Sequence, residues 1–174
     1  MRLFVAVPVP QELREKAAAL GAGIMQDGVS AVRAENMHLT LKFIGETQDS
    51  ELETIKERLA DVKFAPFTCT LRGVGVFPNE NYIKVVWAGC ESGGALERLA
   101  KDVIAALHGH GADERFSAHL TIARVKRKLD LRAFLEGHKE ETLGAFEVAE
   151  FHLIQSVLGP GGPSYTTLAR FPAR

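Results

Sequence analysis

Two cysteines in 174 residues, Cys69 and Cys90, are too few and too far apart in the chain for a disulfide framework or a cysteine zinc site. They read as reduced thiols of a cytoplasmic protein. An excess of one charge is also lacking: 21 Lys and Arg stand against 22 Asp and Glu, a formal net charge of −1. Global charge thus gives no sign of a nucleic-acid binder, and any contact with nucleic acid must be local. No apolar run is long enough to cross a membrane. The opening Met1-Arg2-Leu3-Phe4-Val5-Ala6-Val7-Pro8 has one basic residue and a short apolar stretch, which suits a first strand rather than a signal peptide. A P-loop and a nucleotidyl-lysine motif are missing, which argues against an ATP-driven ligase. What is present, 46% apolar and 25% charged residues, is ordinary globular composition, enough for one domain or two tightly joined lobes.

The chain repeats itself. His38-Leu39-Thr40-Leu41 and His119-Leu120-Thr121-Ile122 stand 81 residues apart, close to half the length. The surroundings follow: Leu3 to Val7 has a counterpart in Ile83 to Trp87, and Phe67 to Val74 has one in Val148 to Gln155. Each half reads strand, helix, His-x-Thr strand, helix, strand. One α+β unit, duplicated, is expected to close around a shared groove on a pseudo-twofold axis, so that residues 1–174 form a single bilobal domain.

Apolar spacing places the helices. Leu13, Ala17, Leu20 and Ile24 form one stripe after Pro10. Ser50 and Glu53 make a capping-box pattern before Leu52, Ile55 and Leu59. Leu96, Leu99, Val103 and Leu107 mark a third helix ending near Gly109 and Gly111, and Asp130 caps a fourth through Leu131, Phe134 and Leu135. Strands are expected over Phe67 to Phe77, Tyr82 to Trp87 and Glu147 to Leu158, with a hairpin turn at Asn79-Glu80-Asn81. Gly159 to Pro163 reads as a long loop before a final strand, Tyr165 to Phe171.

Alternation along a strand puts His38 and Thr40 on one face, and His119 and Thr121 on one face of the other, with Leu39, Leu41, Leu120 and Ile122 behind them. One His-x-Thr describes the polar face of any strand. Two copies at half-chain offset point to a pair of imidazoles facing each other. Such a pair suits a cyclic phosphate: a neutral histidine takes a proton from water while a protonated one supplies the leaving ribose oxygen. Threonine hydroxyls then donate to the phosphate oxygens, and neither a metal nor another cofactor is required.

These two motifs match the paired His-x-Thr-x signature of the two-histidine (2H) phosphoesterases. More closely, the chain resembles the RNA 2',3'-cyclic phosphodiesterases, also described as 2'-5' RNA ligases. The likeness runs from Arg2-Leu3-Phe4-Val5-Ala6-Val7 through Asn36 to Gly45, Gly75-Val76-Phe77-Pro78, Trp87 and Phe116 to Lys126, to Ser156 with Tyr165. Ala34, Ala118 and Val32 depart from it at flanking positions. The resemblance implies a bilobal α+β fold, two antiparallel sheets lining a central cleft with helices outside. It implies a cytoplasmic, monomeric, metal-independent hydrolase that opens RNA ends bearing a 2',3'-cyclic phosphate, tRNA fragments among them, to 2'-phosphates. It makes His38 the proton donor, His119 the proton acceptor and Arg124 a phosphate ligand.

By strict alternation Arg124 faces away from His119 and reaches the groove only if the strand bends. Phe43 maps onto Arg124 by the repeat offset and stacks a base if the same bend occurs there; otherwise it packs in the core. Lys42 lies on the His38 face, against phosphate or at the solvent rim, and Tyr165 lines the cleft or makes a structural hydrogen bond. The run Arg124 to Lys128, with Arg132, steers RNA or is a solvated loop. His108 and His110, without a carboxylate partner in the nearby sequence, make no metal site, and His138 and His152 have no constellation. The competing functions are ATP-independent 2'-5' ligation, hydrolysis of a small cyclic nucleotide, and an inactive nucleotide- or RNA-binding module.

Overall fold

The structure, a computed structural model, describes residues 1–112 and 115–174. Fifteen segments alternate along it, and the ones that matter for the site are strands β1 (Arg2–Pro8), β2 (Val29–Ala31), β3 (His38–Glu46), β4 (Phe67–Asn79), β5 (Tyr82–Glu91), β6 (His119–Val125), β7 (Thr142–Val148), β8 (Glu150–Gly159) and β9 (Gly162–Pro172). Between them run helices α1 (Gln11–Ala22), α2 (Leu52–Ala60), α3 (Ala95–Ala106) and α4 (Arg132–His138). Two antiparallel sheets result, one in the order β3-β1-β8-β9 and one in the order β2-β6-β5-β4-β7.

The repeat is visible in that topology, with an exchange that periodicity does not show. The fourth strand of each half leaves its own lobe. β4, from the first half, pairs with β5 of the second, while β8, from the second half, pairs with β1 of the first. Helices cross over too: α1 packs on β6 and β7, and α3 packs on β3. Gly21 of α1 is the point of closest approach, since a Cβ there would stand 2.9 Å from the carbonyl oxygen of Ile122. The stretch read as one strand from Glu147 to Leu158 is therefore two. β7 ends at Val148 in one sheet and β8 starts at Glu150 in the other.

Apolar alternation made most elements legible. Leu3, Val5, Val7, Leu39, Leu120, Ile122 and Leu153 are buried in a core continuous with Leu96, Leu99 and Val103 of α3; full burial of each such side chain is worth about 1.5–3 kcal/mol. Two local expectations need correction. The capping box belongs to Gln48 and Glu51, whose side chain accepts from the Gln48 N–H at 3.0 Å; Ser50 and Glu53 do not form it. Gly159 to Pro163 is no long loop but a tight turn, with Gly159 paired to Gly162 and a positive φ of 101° at Gly162. Cys69 and Cys90, far apart in sequence, meet across β4 and β5 as free, mutually hydrogen-bonded thiols.

We propose that residues 1–174 are one folding unit, because each sheet needs strands from both halves. Fragments 1–80 and 81–174 made separately are expected to show no cooperative thermal unfolding by circular dichroism. A cooperative transition in either fragment alone would contradict this.

Candidate active site

His38 and His119 are the first residues of β3 and β6, and both line one cavity of about 1090 Å³ between the sheets. Their strands carry the same pattern of exposure. In β3, His38 and Thr40 are half-buried, Leu39, Leu41 and Lys42 are buried, and Phe43 is exposed; β6 repeats this with His119 and Thr121, then Leu120, Ile122 and Ala123, then Arg124. Two consecutive buried residues mean that alternation breaks at this point in each strand. Pairing shows how: Leu41 has no partner between Thr40–Ala6 and Lys42–Val5, and Ile122 none between Thr121–Trp87 and Ala123–Val86. These are β-bulges, each inserting one residue and reversing the phase of the strand beyond it.

The bulges decide where four residues go. Arg124 returns to the His119 face and lines the cavity. Phe43 does the same beside His38 and is 54% exposed, so its expected core packing is overturned. Lys42 does not continue the His38 row. It is 4% exposed at the cavity wall, away from any solvent rim, and its Nζ donates to the Ala112 carbonyl at 3.2 Å. Ala123, its counterpart, is buried.

Each imidazole is clamped. His119 Nδ1 lies 2.8 Å from the Ser117 carbonyl oxygen. A carbonyl only accepts, so Nδ1 carries the proton and Nε2 is the nitrogen left for chemistry. The Asn36 backbone stands in the same relation to His38 and favours its protonated form. Aromatic rings complete both settings. Phe4 stacks on His38 at 4.7 Å with Tyr165 edge-on at 5.1 Å; Phe77 meets His119 edge-on at 5.1 Å. Burial under these rings removes water from the charged form and pushes the His38 pKa down to about 4, against a smaller upward pull from the Asn36 backbone. His119 is also lowered, by burial and, more weakly, by the positive charge of Arg124, with Ser117 opposing.

All eight residues singled out in the sequence, His38, Thr40, Lys42, Phe43, His119, Thr121, Arg124 and Tyr165, reach this cavity. Phe4, Phe77, Arg2, Arg33, Arg115 and Ser156 line it as well and were not singled out. Phe4 alternates with Leu3 and Val5 and so faces opposite to the core, but a uniformly apolar run does not mark that face. The basic run does not act as a block: Arg127 is paired with Asp27 and Arg132 with Asp130, while Val125 is buried. Three of the four remaining histidines have carboxylate neighbours. His110 Nδ1 stands 3.7 Å from Glu51, His152 Nε2 2.8 Å from Glu150, and His138 is paired with Glu141. Among the described residues these do not gather into a group of three or more metal ligands.

Two clamped imidazoles, two hydroxyls and a guanidinium on duplicated strands define a two-histidine phosphoesterase. The LigT-like phosphoesterase family model matches residues 7–87. An RNA 2',3'-cyclic phosphodiesterase of Archaeoglobus fulgidus is 43% identical over 98% of this chain and 99% of its own. Among solved structures, a Thermus thermophilus protein superposes with a TM-score of 0.83 at 36% identity, covering 100% of this chain and 98% of that one. Escherichia coli LigT complexed with 3'-AMP does so at 0.82 and 27% identity, covering 99% and 97%. The chain belongs to the LigT-like phosphoesterase family.

The clamps make a direct prediction. In a proton NMR titration of the free protein, the His38 ring is expected to titrate near pH 4 and that of His119 below its ordinary value of 6.5. Inorganic phosphate should raise the His38 value, since a neighbouring anion favours the imidazolium. A His38 titration at or above 6.5 without ligand would contradict the burial argument.

Proposed function

We propose that this chain hydrolyses the 2',3'-cyclic phosphate at the end of an RNA to a 2'-phosphomonoester. The observation that carries this reading is the repeated bulged strand, which sets a histidine and a threonine from each lobe, with Arg124, around one cavity. A water oxygen bonds to phosphorus as the bond from phosphorus to O3' breaks. His119 Nε2 takes the proton released by the water, and His38 Nε2 gives one to O3', so the pair exchanges one proton per turnover. Thr40 and Thr121 donate to the non-bridging oxygens, and the Arg124 guanidinium matches the phosphate charge.

Two features favour this division of roles. Burial, and more weakly the charge of Arg124, bias His119 toward its neutral form, the form a base needs. His38 needs a proton despite its burial, and the cyclic phosphate monoanion supplies the opposing charge. Phe43, exposed beside Phe4 at 6.1 Å between ring centres, offers a base-stacking surface. Tyr165 walls the site beside His38, and Lys42 braces the bulge through Ala112. Escherichia coli LigT has been crystallised with 3'-AMP, which supports a ribonucleotide in this cavity. The chemistry is complete without a metal, and the monomer contains every group it needs. Unbridged Cys69 and Cys90 support a cytoplasmic location; no helix among the described residues is long and apolar enough to span a membrane.

The test is turnover of an RNA oligonucleotide ending in a 2',3'-cyclic phosphate, in excess EDTA, with the product isomer identified. The wild type is expected to release the 2'-phosphate, and His38→Ala and His119→Ala each to lose about 10²–10⁴-fold in kcat. Thr40→Val and Thr121→Val should each lose up to about 10²-fold. Binding without conversion would instead favour a nucleotide-binding module.

A further inference from the structure

The cavity continues beyond the histidines. In the four-stranded sheet Arg2 of β1 is paired with Ser156 of β8, and Ser156 with Tyr165 of β9. Directly paired residues share a face, and these three line the cavity. Two residues further along β8, on the same face, Leu158 is paired with Pro163, and both also line the cavity. Leu158, 69% exposed, sets an apolar side chain at the rim of this cavity. The hairpin tip that carries it is anchored: Asn36 Nδ2 donates to the Pro163 carbonyl at 3.1 Å. That bond ties the tip to the residues immediately ahead of His38.

Arg2 makes no side-chain hydrogen bond or ion pair with the described residues, although its charge is felt at Tyr165. The wall outward of His38 thus presents a guanidinium, with Glu46 opposite it on β3, and a hydroxyl, then an apolar pair about 6.7 Å further on, two residues of strand rise. The volume, about 1090 Å³, lies above the range of roughly 300–1,000 Å³ that one drug-sized ligand requires. A terminal nucleotide alone leaves part of it unused.

We propose that this row is a subsite for the nucleotide directly 5' of the cyclic end. Arg2 and Ser156 take the phosphate that links the two nucleotides, and Leu158 with Pro163 carries the upstream base. Charge complementarity and continuity with the site of the histidines select an RNA chain as the occupant. Apolar stacking reads no base edge, so the subsite tolerates any sequence. This inference rests on the phosphodiesterase reading above.

The experiment compares kcat/KM for a 2',3'-cyclic mononucleotide with that for a dinucleotide ending in the same cyclic nucleotide, using the full-length protein, Arg2→Gln and Leu158→Ser. Both substituted positions are exposed. The wild type is expected to favour the dinucleotide by about tenfold or more, and each variant to cut that ratio about fivefold, within the effect of losing one stacked base. A wild-type ratio near one, or a ratio untouched by both substitutions, overturns the subsite. No turnover of either substrate by the wild type overturns the phosphodiesterase reading itself, and the subsite with it.

Discussion

Everything at the site depends on an exchange of strands between two copies of one unit. β4 and β8 each complete the sheet of the other half, so each sheet that walls the cavity is built from both halves of the chain. β3 and β6, which start at His38 and His119, lie against each other across the lobes. An acid and a base must face one substrate from opposite sides at fixed separation, and a small displacement costs much of the rate. Two copies joined by interleaved strands meet that requirement more rigidly than two domains on a linker would.

Duplication yields symmetric tools, but the reaction is asymmetric. The bulges at Leu41 and Ile122 are equivalent in position, yet one returns Phe43 to the cavity and the other Arg124. At equivalent places, one lobe therefore sets Phe43 in an aromatic wall with Phe4 and Tyr165, while the other sets the Arg124 guanidinium. A ligand with a base at one end and a phosphate at the other has a preferred direction in such a cavity. That direction breaks the equivalence of the two histidines, assisted by the positive charge beside His119 alone.

The sequence made a good part of this legible, for identifiable reasons. Period-two alternation exposed Leu39, Leu120 and Ile122 as the backing of the histidines, while the uniformly apolar run Leu3 to Val7 marked a strand without marking its faces. The half-chain offset disclosed the duplication, and the paired motif disclosed the family. What stayed hidden was non-local or broke the period. Nothing in the residues around Ala149 shows that the chain changes sheets there. A bulge is set by the pairing of two strands, so Lys42 was assigned to the wrong face, and the fate of Phe43 and Arg124 turned on a bend that one strand's sequence does not reveal. The contact of Cys69 with Cys90 and the hold of Asn36 on Pro163 likewise join residues distant in sequence.

The claim that one histidine gives a proton while the other takes one is tested most directly by the pH dependence of kcat/KM in the wild type and both alanine variants. The account predicts a bell for the wild type with its top below pH 6.5, because burial holds both free imidazoles below their ordinary value. With His119 replaced, the residual rate should only fall as pH rises, following loss of the His38 proton. With His38 replaced, it should only rise, following deprotonation of His119. If both variants keep the bell, or both lose the same limb, the two histidines do not divide the acid and base roles and the account is wrong.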